Sequence, residues 1–186
     1  MRTLSLAKGF PATTVDEVCA QAAVSKGSFY HHFATKEEMG AAALDRYFGD
    51  LVEALTTGPF TDVVDPVDRL HAFVEHAGVV CSGPLLRNGC LLGSFALDLA
   101  ESHPEIRSKL ASQFDTLAAF VAGLIDDAAG AAGIEVPAAA LARQFLAVIE
   151  GSIVLAKAFA DPGQLTAGVG LFADHLRLLF GREVDR

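Results

Sequence analysis

The sequence predicts an all-α protein, on three observations. No stretch alternates apolar and polar residues as a half-buried strand does, and apolar residues recur at steps of three and four almost throughout. Breaks at Gly58-Pro59, Pro66, Gly83-Pro84, Pro104, Gly130 to Pro137 and Pro162-Gly163 then cut the chain into segments of helical length. The expected helices lie near 14–22, 25–31, 36–56, 67–81, 89–100, 104–129, 138–160 and 164–180.

The first segments carry start signals. Thr14 is followed by Glu17 and Thr35 by Glu38, both matching the S/T-x-x-E capping box that satisfies orphan amides at a helix start. Ser25 can cap a short helix between them. Val15, Val18 and Cys19 are placed to pack against Phe29 and Phe33, across the short linker Ala22-Ala23-Val24. Two short helices joined by so tight a turn make a helix-turn-helix, whose second helix can enter a major groove. A long helix follows from Lys36 to Thr56. Further on, Ile106, Leu110, Phe114, Leu117, Val121 and Leu124 form one amphipathic stripe. Leu141, Phe145, Ile149, Ile153 and Ala156 form a second, and Leu165, Val169, Phe172, Leu176 and Leu179 a third.

The chain has 186 residues, room for one domain or a small one with a larger partner. Hydrophobic residues make up 52% and charged residues 20%, which excludes a disordered tail. No run reaches about 18 uninterrupted apolar residues, because Glu150, Lys157 and Asp126-Asp127 cut the most apolar stretches. The first residues lack the apolar core and cleavage site of a signal peptide. Three cysteines are too few, and odd in number, for a disulfide framework. A soluble cytoplasmic protein with reduced thiols, and no membrane partner, is expected.

Net charge is −9, which taken alone argues against nucleic acid. Its distribution changes that reading. Residues 1–46 carry five basic and five acidic side chains, so the whole excess lies in residues 47–186. The expected second helix, from Ser25 to His32, is polar apart from Phe29 and carries one of the two tyrosines. Lys26 and Ser28 sit in its first turn, where base contacts arise. Gly27 lets a backbone approach closely, and Tyr30 and His32 offer donors to phosphate oxygens. Lys36 begins the next helix, where its charge and the helix N-terminus both attract phosphate.

The run Gly9-Phe10, Thr13-Thr14-Val15, Ala22 to Phe33 and Lys36-Glu37-Glu38 strongly resembles the DNA-binding domain of TetR/AcrR-family transcriptional regulators. The resemblance implies a homodimeric, ligand-responsive repressor that contacts a double-stranded operator through Thr14, Lys26, Gly27, Ser28, Tyr30, His32 and Lys36. It implies a helix-turn-helix domain at 1–46 and a helical ligand-binding and dimerisation domain at 47–186. The family's first helix normally begins about ten or more residues before the Gly-Phe pair. Only eight residues precede Gly9 here, so that helix is expected to be truncated. The rival reading is a helical small-molecule binding protein that has lost DNA binding.

In the larger half, Asn88 to Gly93, His103 to Arg107 and Gly151 to Lys157 look like the regulatory half of one branch of the same family, some of whose members respond to electrophiles or small organic acids. Cys90, Phe95, Phe114, Glu150 and Lys157 are the expected ligand-cavity residues. Cys90 follows Gly89 at a helix start, where the helix dipole favours a thiolate. Lys157 is a lone lysine in a strongly apolar helix, seven residues after Glu150. The last two long helices, through residues such as Val169 and Phe172, are expected to meet a second copy. No phosphate loop, H-E-x-x-H pattern or C-x-x-C pair occurs. His71 and His76 are five apart, off the spacing that puts two ligands on one helix face. No enzyme, cofactor or metal is therefore expected.

Overall fold

The computed structural model describes residues 1–181, and the last residues of the expected 47–186 domain lie outside them. Within the described residues the chain forms α-helices and one 3-10 turn, with no strand. The helices are α1 (Arg2–Lys8), α2 (Val15–Ala22), α3 (Lys26–His32), α4 (Lys36–Thr56), α5 (Pro66–Ser82), α6 (Leu91–Leu99), α7 (Pro104–Ala132), α8 (Ala138–Phe159) and α9 (Gly163–Leu179). The 3-10 turn, Pro59–Asp62, follows α4.

All eight expected helices are present, and α1, seven residues long, stands before Gly9 where the shortened first helix is expected. α6 starts later than expected because Gly89 has φ 120° and Cys90 is extended, so neither can begin a helix. α7 runs past Gly130 and ends where Gly133 turns into the left-handed region at φ 66°.

The chain groups into two compact units. One holds residues 1–51 and 88–112, the other residues 52–87 and 113 onward. Spatial grouping is thus a different partition from the division of labour read at 46/47, since α6 and the start of α7 pack with the N-terminal helices.

In the first unit, Val18, Cys19, Phe29 and Met39 form a buried cluster, flanked by Met1, Leu4, Val15 and Phe33. It fastens α1, α2 and α3 onto the start of α4. The expected packing of Val15, Val18 and Cys19 with Phe29 and Phe33 is what the fold uses. Phe10 is inserted beside it, edge-on to Phe95 of α6 at 4.9 Å. Gly40 of α4 makes the room. A Cβ there would stand 2.7 Å from the Phe10 ring and 3.3 Å from Phe95. The Phe10 amide donates to the Asp98 carboxylate at 2.8 Å, and the Lys109 ammonium grips Asp45 at 2.6 and 2.7 Å.

In the second unit the core is a relay of rings. Phe73 of α5 meets Phe60 at 5.3 Å, Phe120 of α7 at 5.5 Å and Phe145 of α8 at 6.0 Å, and Phe145 meets Phe172 of α9 at 5.0 Å. Each fully buried ring contributes about 2–3 kcal/mol. By length and composition α8 could cross a membrane. In this fold its Leu141, Phe145, Ile149 and Ile153 are buried against the chain's own helices, and Gly168 of α9 packs onto Ser152.

Candidate DNA interface and ligand cavities

The α2–α3 pair is built by local chemistry. Thr14 caps α2 with both arms of a capping box. Its Oγ1 accepts from the Glu17 amide at 3.3 Å, and its own amide donates to Glu17 Oε2 at 2.9 Å. Ser25 caps α3 by accepting from the Ser28 amide at 3.0 Å. At α4 the Thr35 hydroxyl accepts from the Glu38 amide at 3.0 Å, but Glu38 reaches back one residue further, to the Ala34 amide at 2.7 Å. Between α2 and α3, Ala23 takes the left-handed conformation at φ 54°, and the Val24 amide bonds the Cys19 carbonyl at 3.0 Å. That closure is the tight turn a helix-turn-helix requires.

α3 buries Phe29 alone and leaves Lys26, Gly27, Ser28, Tyr30, His31 and His32 exposed. Tyr30 is 56% exposed, its ring set edge-on to Phe29 at 5.0 Å. A Cβ at Gly27 would meet only the Ser25 Oγ, at an ordinary 3.6 Å. A helical glycine costs about 1 kcal/mol against alanine, and the chain's own packing does not require this one.

The seven residues expected to face DNA fall into two groups. Lys26, Gly27, Ser28, Tyr30 and His32 share the exposed face of α3. Thr14 and Lys36 have hydrogen-bond partners within the chain. Thr14 serves the capping box. Lys36 is half-buried, and its ammonium donates to the carbonyls of Phe10 at 3.2 Å, Pro11 at 3.3 Å and Thr13 at 3.1 Å, lying 4.5 Å from the Phe10 ring centre. Lys36 therefore closes the loop that delivers Thr14 to the start of α2. Two acidic residues that sequence reasoning passed over also belong here. Asp16 pairs with Lys26 at 2.7 Å, and Asp98 holds the Phe10 amide. Their partners are 10 and 88 residues away, so no spacing pattern marks them.

Of the expected ligand residues, the fold brings two together. Phe114 and Glu150 line one cavity of about 280 Å³ in the second unit, with Ala118, Leu146, and Asp115 paired to Arg143 at 3.2 Å. Cys90 and Phe95 are buried in the first unit, at the N-cap and middle of α6. Lys157 is exposed on the last turns of α8, in the second unit. All three cysteines are buried thiols. Burial pushes the Cys81 thiol up to about 12, with the Glu150 carboxylate adding to the effect. A second cavity of about 510 Å³ lies between α5 and α9. Val74, Gly78, Val169 and Ala173 form its wall, with Glu75 and Arg177 at 3.5 Å from each other. His76 is a joint residue, its Nε2 2.8 Å from the Ala54 carbonyl and its ring against Phe60. Among the described residues no cluster of His, Cys, Asp and Glu is placed to hold a metal ion.

Comparison with known proteins bears on both halves. Residues 2–49 match the family of bacterial regulatory proteins described as tetR family, and residues 66–169 match the tetracyclin repressor-like C-terminal domain. The HTH-type transcriptional repressor DhaR of Mycobacterium sp. (strain GP1) is 32% identical over 110 residues, 59% of this chain and 54% of that protein. The match thus spans about half of DhaR. The transcriptional regulator AcuR of Cereibacter sphaeroides is 29% identical over 170 residues, 90% of this chain and 78% of its own. Among solved structures, a regulatory protein TetR from Rhodobacter sphaeroides superposes with a TM-score of 0.78 at 29% identity, covering 92% of each chain. A TetR transcriptional regulator from Chloroflexus aurantiacus shares the fold, with a TM-score of 0.81 at 24% identity over 93% of this chain and 88% of that one.

Proposed function

Since this chain belongs to the TetR family of bacterial regulatory proteins, we propose that it is a ligand-responsive repressor of transcription, with no catalytic step. The observation that carries the reading is α3 itself, a helix with one buried residue, Phe29, and a polar, aromatic face turned to solvent. Lys26 and Ser28 meet base edges from its first turn, Tyr30 and His32 donate to phosphates, and Gly27 lets the backbone come close. Thr14 presents the start of α2, and Lys36 holds the loop before it in place. Residues 1–46 read DNA, and residues 47–186 sense the effector and dimerise. A two-fold dimer presents two copies of α3 to a palindromic operator. Working on such an operator places the protein in the cytoplasm.

The effector is a small organic molecule held in the second unit. The cavity lined by Phe114, Ala118, Leu146, Arg143 and Glu150 offers apolar walls with charged groups among them, near the lower size limit of ligand pockets. An effector that binds better to a conformation with wrongly spaced reading heads lowers DNA affinity by the coupling free energy, typically about 1–3 kcal/mol.

The test is selection of duplexes from a random pool by the purified chain, followed by sequencing. Enrichment of a palindrome with half-sites one turn or a multiple apart is expected, about 10–10.5 base pairs per turn. A pool that stays random after repeated rounds refutes the reading.

A further inference from the structure

All five lysine and arginine side chains of residues 1–46 have partners within the chain. Arg2 lies over the Tyr47 ring at 5.9 Å, Lys8 pairs with Glu17 at 2.5 Å, Lys26 with Asp16 at 2.7 Å, Arg46 with Asp50 at 3.1 Å, and Lys36 with three carbonyls. Beyond the neutral donors of α3, this reading head has no lysine or arginine to offer a phosphate backbone without giving up a partner. Any Lys or Arg contact from these residues to a duplex therefore exchanges an internal partner for one on the DNA.

The five are not equally exchangeable. Lys36 would leave three carbonyls and the Phe10 ring. Lys8 would leave a Glu17 that also accepts from the Thr14 amide and hydroxyl, so the capping box would loosen with it. Arg46 pairs one turn along its own α4, and Arg2 stands on α1 over the Tyr47 ring, so neither belongs to α3. The Lys26–Asp16 pair differs. Both side chains are mostly exposed, at 61% and 65%, a single contact joins them, and it spans the first turns of α2 and α3. Exposed pairs of this kind hold weakly.

We infer that Asp16 is a specificity-determining residue, which holds the Lys26 ammonium back from non-specific DNA and releases it to a base-edge acceptor of the correct site. On arbitrary sequence the gain is one phosphate contact. It is offset by the lost ion pair and by bringing the Asp16 carboxylate, now uncompensated, toward the polyanion. On the operator, a paired acceptor such as guanine O6 and N7 replaces the carboxylate geometrically as well as electrostatically. Asp16 thus subtracts more from the wrong complex than from the right one.

This rests on the assignment of α3 as the DNA-reading helix, and the experiment separates the two claims. Fluorescence anisotropy is measured with the full chain on a random-sequence 30-base-pair duplex and on a duplex the wild type has selected, across a salt series. The variants are Asp16→Asn, Asp16→Ser, Lys26→Met and Asp16→Asn with Lys26→Met, each checked by thermal melting. Two substitutions at Asp16 keep the test alive should one of them destabilise α2. Asp16→Asn and Asp16→Ser should tighten binding to the random duplex roughly two- to fivefold. The salt slope should steepen by up to about 0.9 per protomer. The gain on the selected duplex should be smaller, and no gain should remain in the Lys26→Met background. Equal gain on both duplexes, gain that persists without Lys26, or no gain at all overturns the role of Asp16. A wild type that binds neither duplex and selects none overturns the DNA-reading function itself, and the inference with it.

Discussion

At the scale of single residues, two side chains in the N-terminal unit have roles set by the groups around them. Glu17 accepts first from the Lys8 ammonium and then from the Thr14 amide and hydroxyl, which hold its carboxyl down at about 2 against a small opposing effect of desolvation. The folded-state value lies below the unfolded one, so its stabilisation is fully present above about pH 4.5 and is lost as pH falls toward 2. The urea midpoint of Glu17→Gln should therefore lie below that of the wild type at pH 6, and the gap should close on acidification between those limits. A gap constant with pH would show that the charge is not what Glu17 contributes. Lys36 stands as a clasp on the carbonyls of Phe10, Pro11 and Thr13. Lys36→Met, which keeps the chain length over the Phe10 ring, should lower stability by about 1–3 kcal/mol in urea titration. A pure phosphate contact would leave the DNA-free protein as stable as the wild type.

At the scale of elements, the turn between α2 and α3 and the seat of Phe10 make opposite forecasts for glycine and alanine. Ala23 occupies the left-handed region at φ 54°, a conformation that costs a residue with a Cβ about 1–2 kcal/mol. Ala23→Gly removes that strain but returns freedom to the unfolded chain, so a net gain of up to about 1 kcal/mol is expected in equilibrium unfolding. Gly40 lies where α4 passes under Phe10 and Phe95. Gly40→Ala raises helix propensity yet drives a Cβ into two rings that are nearly fully buried. A loss of about 1–3 kcal/mol is expected, despite the better helix former. A melting temperature that rises for Gly40→Ala would show that the rings can move aside. The same rings, with the Asp98–Phe10 bond, tie α6 to the loop that leads into α2.

At the scale of the whole molecule, the dimer proposed for this family member needs an apolar face beyond the subunit's own core. Val169 and Phe172, prominent in the sequence stripe of α9, are buried inside the subunit. Charged substitutions there would unfold the chain and report nothing on assembly. The large apolar residues left outside are Val154, Leu155 and Phe159 on α8 and Leu171, Leu178 and Leu179 on α9, with Leu171 and Leu178 72% and 73% exposed. Leu171→Glu with Leu178→Glu should give folded monomers in sedimentation, with melting retained and DNA affinity lost. An unchanged dimer would place the interface elsewhere.

Periodicity, breaks and caps determined the helical class, eight of the helices and the helix-turn-helix, because these depend on residues within a few positions of one another. The exposed polar face of α3 was legible for the same reason. What crosses the chain was not. That Lys36 turns into a loop 23 residues earlier, that Asp98 grips Phe10, and that Lys26 is met by Asp16 are consequences of which surfaces meet. The ligand candidates show the same divide. Phe114 and Glu150 meet at one cavity because α7 and α8 pack together, while Cys90 and Phe95 go with the N-terminal helices and Lys157 lies exposed near the end of α8. A short-range pattern fixes which face of a helix is apolar, but not which neighbour covers it. Packing of distant segments decides that, through burial and hydrogen bonds that no local spacing encodes.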